Sequence, residues 1–262
     1  MEQSYSNSAY TLHLDHYRLG LYGDKDRRRD WSKETRDIVM LLEEELQARA
    51  KPLKIDDSRY RYLQRMEYGP VQVDIGHGVK ELFPVGSQEW YIMNKGWIRI
   101  TNTNKYDYRP HHEAIQRVER VLDEYDHSDT WGTQYVELAV DSLNRRKGVD
   151  MLLRGYPAYY RGERPDVPVE GLERYYGARP DYKQHHPYVK DGGIYRWEVR
   201  MGRQYLHNNG LDRYQDIMAV AQDTVSRSVL MLRPKPGEVP SQYKRRPSAD
   251  IVDTLMLETG AK

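Results

Sequence analysis

The sequence predicts an α+β fold with a central antiparallel sheet flanked by two or three long helices. Several short segments alternate apolar and polar residues, as strands with one packed face do. Longer segments instead repeat apolar residues at three- and four-residue spacing, which is typical of an amphipathic helix. Several predicted strands follow one another directly, and this order of elements favours antiparallel pairing over a regular alternation of strands and helices.

The N-terminal half begins with strand and continues with helix. Residues 10–22 alternate well enough for one or two strands. Ser32 is a suitable N-cap for a helix over 33–50, because its hydroxyl can accept a hydrogen bond from a free backbone N–H of the first turn. The stripe of that helix consists of Ile38, Val39, Leu41, Leu42 and Leu46.

A meander is predicted between residues 60 and 103. Val71, Val73 and Ile75 recur at every second position and form one apolar face, and a further short run lies at 89–93. Glycine-containing turns separate the runs. The pattern predicts antiparallel strands connected in sequence order.

Two further strands and two further helices are predicted in the rest of the chain. A helix over 111–125 opens after Pro110, whose ring presets the first helical φ angle. Strands are predicted at 133–141 and 194–201, and a long helix over 211–232. The stripe of the first of these helices consists of Ala114, Ile115, Val118, Val121 and Leu122.

The domain organisation follows from three prolines after the last long helix. Pro234, Pro236 and Pro240 cannot continue a helix and indicate a linker. We therefore expect one α+β domain over residues 1–233 and a linker with a short helix or tail over 234–262.

The predicted strand at 194–201 separates its side chains by chemical type. Successive side chains of a strand point to opposite faces. The simplest interpretation is a half-buried strand with a solvated charged face, and the alternative is a site that handles phosphate. One face is formed by Tyr195, Trp197, Val199 and Met201, and the other by Ile194, Arg196, Glu198 and Arg200.

Composition excludes several classes of function. The chain has 262 residues and no cysteine, so disulfides, thiol nucleophiles and zinc–cysteine sites are excluded. No P-loop, dinucleotide-binding glycine fingerprint or nucleophile elbow occurs. There is no signal-peptide pattern and no run of about 18 apolar residues, so we expect a cytoplasmic protein with no membrane partner.

Charge and aromatic content limit how nucleic acid could be bound. The net charge is +1, so any such binding must come from local basic patches, such as 25–33, 145–164 with Arg161, and 244–246. The chain has 23 tyrosines against one phenylalanine. A tyrosine ring at a groove edge can stack on a base while its hydroxyl stays solvated.

Acidic residues on two predicted strands suggest a metal site. If 133–141 and 194–201 are sheet neighbours, Glu137 or Asp141 could approach Glu198. Carboxylates held close together repel unless a hard cation such as Mg²⁺ or Mn²⁺ lies between them. The competing interpretation is that Glu198 pairs with Arg196 or Arg200 on its own face.

Four segments, in this order, resemble the replication initiation factors of rolling-circle plasmids and filamentous phages. In that family a tyrosine attacks the DNA backbone at the origin and leaves a 5′-phosphotyrosyl link, and nearby carboxylates bind a divalent metal. The four segments are 136–141 (VELAVD), 174–179 (RYYGAR), 188–190 (YVK) and 195–200 (YRWEVR).

The resemblance implies specific roles for residues of this chain. Tyr188 would be the nucleophile, Lys190 would contact phosphate, and the partner would be partly single-stranded origin DNA. The separation between the third and fourth segments, 188–190 and 195–200, is shorter here than is usual in the family, so Tyr175, Tyr176 and Tyr182 remain alternative nucleophiles. The implied metal ligands are Glu198 and Asp141, and the predicted pairing of the two strands adds Glu137. The predicted nucleic-acid contacts are Arg161, Arg179, Arg196 and Arg200.

Three classes of function therefore stay open at this point. The first is a DNA-nicking replication initiator that uses Mg²⁺ or Mn²⁺, and the second is a nucleic-acid-binding protein without catalysis. The third is a structural or interaction protein of a mobile element or virus, whose charged strand faces are merely solvated. The sequence does not determine the oligomeric state, and a homodimer is one of the possible states.

Overall fold

The computed structural model describes a large part of the chain. The predicted run at 89–93, the side chains of Arg161, Arg179, Tyr175 and Lys190, and the whole of 234–262 lie outside what it describes. The described residues are 10–21, 31–53, 60–78, 96–104, 107–125, 131–142, 156–158, 176–177, 182–190, 194–221, 224 and 230–232.

Four helices and eleven strands lie within the described residues. The helices are α1 (Trp31–Leu46), α2 (Arg109–Tyr125), α3 (Arg203–Asn208) and α4 (Tyr214–Ala219). The strands are β1 (Tyr10–Leu21), β2 (Lys51–Pro52), β3 (Tyr60–Tyr68), β4 (Val71–Gly78), β5 (Gly96–Asn102), β6 (Trp131–Ser142), β7 (Tyr156–Ala158), β8 (Tyr176–Gly177), β9 (Lys183–Lys190), β10 (Ile194–Gly202) and β11 (Leu230–Leu232). The α+β prediction is confirmed, but only α1 and α2, at 16 and 17 residues, are long helices.

The chain divides into two compact units, and one consists of Asp15–Val136 with Leu211–Tyr214. Its strands follow the order β2-β3-β4-β5-β1-β6, and β1 and β6 each contribute a part. The described registers of β2 with β3, β3 with β4, β4 with β5, and β5 with β1 are antiparallel, as the predicted meander requires. Gly69, at φ 55°, occupies the β3–β4 turn in the left-handed region that glycine adopts readily.

The core of this unit lies between the sheet and the two long helices. Alternation places Val71, Val73 and Ile75 of β4 on one face, where they are buried beside Ile98 and Ile100 of β5. Helices α1 and α2 contact these strands. The whole predicted stripe of α2 is buried, whereas Leu41 of the predicted α1 stripe is exposed.

The other unit consists of Met1–Leu14, Glu137–Gly210 and Gln215–Lys262. Its strands follow the order β1-β6-β10-β9-β8, and β7 pairs separately with β11. Strands β9 and β10 form an antiparallel ladder from Ile194 opposite Lys190 to Met201 opposite Lys183. This ladder confirms the strand predicted at 194–201.

The predicted long helix over 211–232 is wrong. Helix α4 ends at Ala219, although Ala221 and Thr224 are also helical, and Leu230–Leu232 forms strand β11. The apolar residues there match a helical period, but β11 pairs with β7, some 70 residues earlier in the chain. Long-range pairing thus overrides the local pattern. None of the described helices is long and apolar enough to cross a membrane.

Candidate active site

Both faces of strand β10 are buried. Trp197 and Val199 lie in the core, as alternation predicts, but Arg196 is only 1% exposed and Glu198 only 3% exposed on the opposite face. The interpretation of this face as a solvated surface is therefore wrong. A buried charge is costly unless it is paired and hydrogen-bonded, so each of these residues requires a partner.

Arg196 is paired with Asp141 of β6. Arg196 donates from Nε and Nη2 to the two carboxylate oxygens of Asp141, at 2.6 and 2.7 Å. Its Nη2 also lies 3.1 Å from Nε2 of His13 on β1. Because a guanidinium can only donate, His13 Nε2 is the acceptor. Both oxygens of Asp141 are thus engaged by an arginine, although the sequence suggested this carboxylate as a metal ligand.

Glu198 lies in a second polar cluster, formed with Arg200 and His186. Arg200 donates from Nε to Glu198 Oε1 at 2.6 Å. His186 Nδ1 lies 2.9 Å from Arg200 Nη2 and 3.5 Å from Glu198 Oε1. The β9–β10 register brings Glu198 and His186 together, because the two residues stand directly opposite each other.

The electrostatics of this second cluster keep Glu198 ionised. Burial raises the pKa of Glu198, but the neighbouring His186 and the charge and hydrogen bond of Arg200 outweigh burial and lower the pKa to about 2. A carboxylate with such a pKa is charged throughout the neutral range. It therefore accepts hydrogen bonds well and accepts a proton poorly.

Tyr188 joins this cluster from β9. Its hydroxyl donates a hydrogen bond to Glu198 Oε2 at 3.2 Å. Its ring stacks on His186, with centroids 4.5 Å apart and an interplanar angle of 26°. His186 and Tyr188 are two residues apart on one strand, so alternation places both on the face of Glu198. Tyr188 is half-buried.

Glu137 of β6 brings a second carboxylate to the cluster. Arg200 Nε lies 3.7 Å from Glu137 Oε1, and carboxylate oxygens of Glu137 and Glu198 lie within 4.8 Å of each other. Two hard oxygen donors at this separation suit Mg²⁺ or Mn²⁺. Arg200 supplies the positive charge that compensates both carboxylates in the described arrangement.

The remaining predicted site residues are only partly described. The backbone of Lys190 ends β9 two residues after Tyr188, and the backbone of Tyr176 lies in β8. The half-buried Tyr182 packs edge-on against Tyr205, with centroids 5.4 Å apart. Arg196 is buried against Asp141. Its contact with nucleic acid stays a prediction, and such a contact would require the guanidinium to leave the Asp141 carboxylate.

His186 is the site residue that sequence reasoning missed. The pair His185-His186 has no metal-ligand spacing, and nothing in its local pattern indicates a role. The two histidines in fact point to opposite faces of β9. His185 accepts a hydrogen bond from Trp197 in the core, whereas His186 contacts Arg200 and Tyr188.

No family model matches the sequence, and none of the curated proteins matches it. Among solved structures, the chain is similar to the rolling circle replication initiator protein from Geobacillus stearothermophilus. The sequence identity is 15%, the alignment covers 94% of this chain and 95% of that one, and the TM-score is 0.48.

Proposed function

We propose that the protein is a DNA-nicking replication initiator in which the hydroxyl oxygen of Tyr188 attacks a phosphodiester. The observation that carries this proposal is the hydrogen bond from the Tyr188 hydroxyl to the buried, ionised carboxylate of Glu198. A half-buried phenol fixed by a carboxylate and a stacked ring has a defined orientation. An oriented nucleophile lowers the entropic part of the barrier.

The reaction exchanges one ester bond for another. The Tyr188 oxygen forms a bond to phosphorus while the bond from phosphorus to the 3′ oxygen breaks. The phenol loses its proton to solvent, and the departing 3′ oxygen takes one up to become a hydroxyl. Glu198 orients the phenol in this scheme rather than acting as its base, because its pKa of about 2 makes it a weak proton acceptor.

Glu137 and Glu198 are the residues that would hold a divalent cation. When bound there, Mg²⁺ or Mn²⁺ would polarise the phosphodiester and favour the phenolate of Tyr188. Arg200 would have to release at least one of the two carboxylates, and its positive charge would then be free to contact a phosphate oxygen. Asp141, the third predicted ligand, would join only if Arg196 released it.

The test is nicking of supercoiled DNA that carries the candidate origin, in Mg²⁺ or Mn²⁺, followed by protease treatment and a gel. We expect metal-dependent nicking by the wild-type chain and none by Tyr188→Phe. Tyr182→Phe is the matched control, because it removes a hydroxyl from another half-buried tyrosine of the same unit. Absence of nicking by the wild type would refute the reaction, and nicking by Tyr188→Phe would refute the nucleophile.

One observation favours a second function. Arg200 bridges Glu137 and Glu198 in the described arrangement, which is also what a non-catalytic nucleic-acid-binding protein would show. In that case the wild-type chain and Glu198→Gln would bind DNA equally well, and neither would nick it. The cytoplasmic location and the homodimer stay predictions.

A further inference from the structure

A row of charged residues crosses five strands of the unit formed by Asp15–Val136 and Leu211–Tyr214. Lys51 stands opposite Arg65, Arg65 opposite Asp74, Asp74 opposite Arg99, and Arg99 opposite Arg18. Cross-strand partners share a face of the sheet, so these side chains form one line, which we call the basic row. At about 4.8 Å per strand, the row is roughly 19 Å long.

The basic row lies on the sheet face opposite the helices. Its central member, Asp74, is flanked along β4 by Val73 and Ile75, which are buried under α1 and α2. Alternation therefore places Asp74 and its cross-strand partners on the other face. The Arg65 and Arg99 side chains are 27% and 41% exposed there, so solvent reaches both.

Asp74 fixes the two central arginines of the basic row. Arg65 donates from Nε and Nη2 to Asp74 at 2.6 and 3.0 Å, and Arg99 donates from the same two atoms at 3.2 and 2.5 Å. The Asp74 side chain is 3% exposed, whereas both arginine side chains reach solvent. One buried negative charge thus holds two partly exposed positive side chains, and the described hydrogen bonds to Asp74 use only Nε and Nη2 of each arginine.

This arrangement suits a polyanion. The two arginines tie β4 to both of its neighbouring strands, and against one carboxylate they also leave a net positive charge at the surface. Guanidinium groups match phosphate oxygens in geometry, and their prior fixation reduces the ordering cost of binding.

The neighbours of the basic row are consistent with contacts to a DNA backbone. Gln72 and Thr101 stand opposite each other, two residues from Asp74 and Arg99 on the same strands. Both are half-buried and offer hydrogen-bonding groups. Arg18 lies over the Trp97 ring, 5.2 Å from its centroid. Glu67 is another acidic residue of this face, and it contacts Lys51 at 3.9 Å at the edge of the sheet. Basic side chains therefore outnumber acidic ones along the row.

We propose that the basic row binds the phosphodiester backbone of DNA, with Arg65 and Arg99 as its central phosphate contacts. The DNA partner rests on the proposed function, but the surface is formed by residues other than those of the Tyr188 cluster. Guanidinium groups that contact phosphate hold the strand without reading its sequence. The surface would thus supply affinity, and it leaves sequence selection to other residues.

The test measures the affinity for a single-stranded oligonucleotide by fluorescence anisotropy across a range of salt concentrations. For Arg65→Gln/Arg99→Gln we expect weaker binding and a salt slope, log affinity against log salt, that is shallower by about 1.4, or about 0.7 for each lost phosphate contact. The control is Arg109→Gln, which removes a 92% exposed arginine of α2 that pairs with Asp107. An unchanged slope in the folded double variant would overturn the proposal.

A second variant keeps the test decisive if loss of the arginines unfolds the chain. Gln72→Glu/Thr101→Glu leaves the Asp74 contacts in place and adds negative charge beside them, so we expect weaker binding at low salt and a deficit that shrinks as salt screens the added charge. Unchanged affinity in this variant would also overturn the proposal. The two proposals fail separately. Binding that depends on Arg65 and Arg99, without nicking by the wild type, contradicts only the proposed reaction, whereas nicking by the wild type with an unchanged salt slope in the double variant contradicts only the basic row.

Discussion

The buried pair of Arg196 and Asp141 makes a strong prediction about stability. In Asp141→Asn, Arg196 would keep its charge, because a guanidinium does not deprotonate. It is 1% exposed, so water cannot replace the lost carboxylate. Removing one partner of a buried pair costs about 3–5 kcal/mol. His13 Nε2 and the remaining amide oxygen still accept hydrogen bonds from Arg196, so we expect the lower end, about 3 kcal/mol.

The assay is urea denaturation followed by tryptophan fluorescence. At a slope of about 3 kcal/mol/M, this loss lowers the midpoint by about 1 M. The control is Asp141→Leu/Arg196→Met, which removes both charges and fills the space, and it should recover most of the loss. A single variant within about 1 kcal/mol of the wild type, or a double variant as unstable as the single one, would refute the reasoning.

Three further predictions concern other buried groups. The pKa of Glu198 is lowered to about 2 from its usual 4.5, so the stability it contributes is present above about pH 4.5 and is lost as the pH falls toward 2; in Glu198→Gln the urea midpoint should fall less over that range. Burial lowers the pKa of Lys183 to about 8 from 10.5, so wild-type stability should gain a contribution between pH 8 and 10.5 that Lys183→Met lacks, and this variant should be more stable at neutral pH. In Gly20→Ala a Cβ would lie 2.6 Å from Cγ of Gln134, so thermal unfolding should show a loss of about 1–3 kcal/mol that Gln134→Ala relieves. An additive effect of the two substitutions would contradict that last contact.

Local patterns predicted strands and helices well where one face packs and the other is solvated. The stripe of α2 and the apolar face of β4 follow directly from residue spacing. The position of strand β10 was predicted correctly, but its charged face was predicted to be solvated and is buried. That face is buried because Asp141, 55 residues away, neutralises Arg196, and spacing within one strand carries no information about such a partner.

Cross-strand register accounts for the rest of what the sequence did not predict. Arg18, Arg65 and Arg99 are isolated charges along the chain and resemble ordinary surface residues. Pairing of β1, β3, β4 and β5 brings them into one row. In the same way, His186 acquires neighbours only when β9 pairs with β10. The Glu198 cluster was anticipated in part, because Glu137 and Tyr188 were identified and the pairing of Glu198 with Arg200 was the competing interpretation. The second contact of Arg200, with Glu137, was not anticipated.

The most direct test of the central claim is to map the residue that becomes linked to DNA. The wild-type chain is incubated with origin DNA and Mg²⁺ or Mn²⁺, the DNA is trimmed with nuclease, and the tryptic peptides are analysed by mass spectrometry. Tyr188 is the only tyrosine of the peptide 184–190 (QHHPYVK), whereas Tyr175, Tyr176 and Tyr182 lie together in 175–183 (YYGARPDYK). We predict a nucleotide-phosphate adduct on 184–190. An adduct on 175–183, or none on any peptide, would contradict the account.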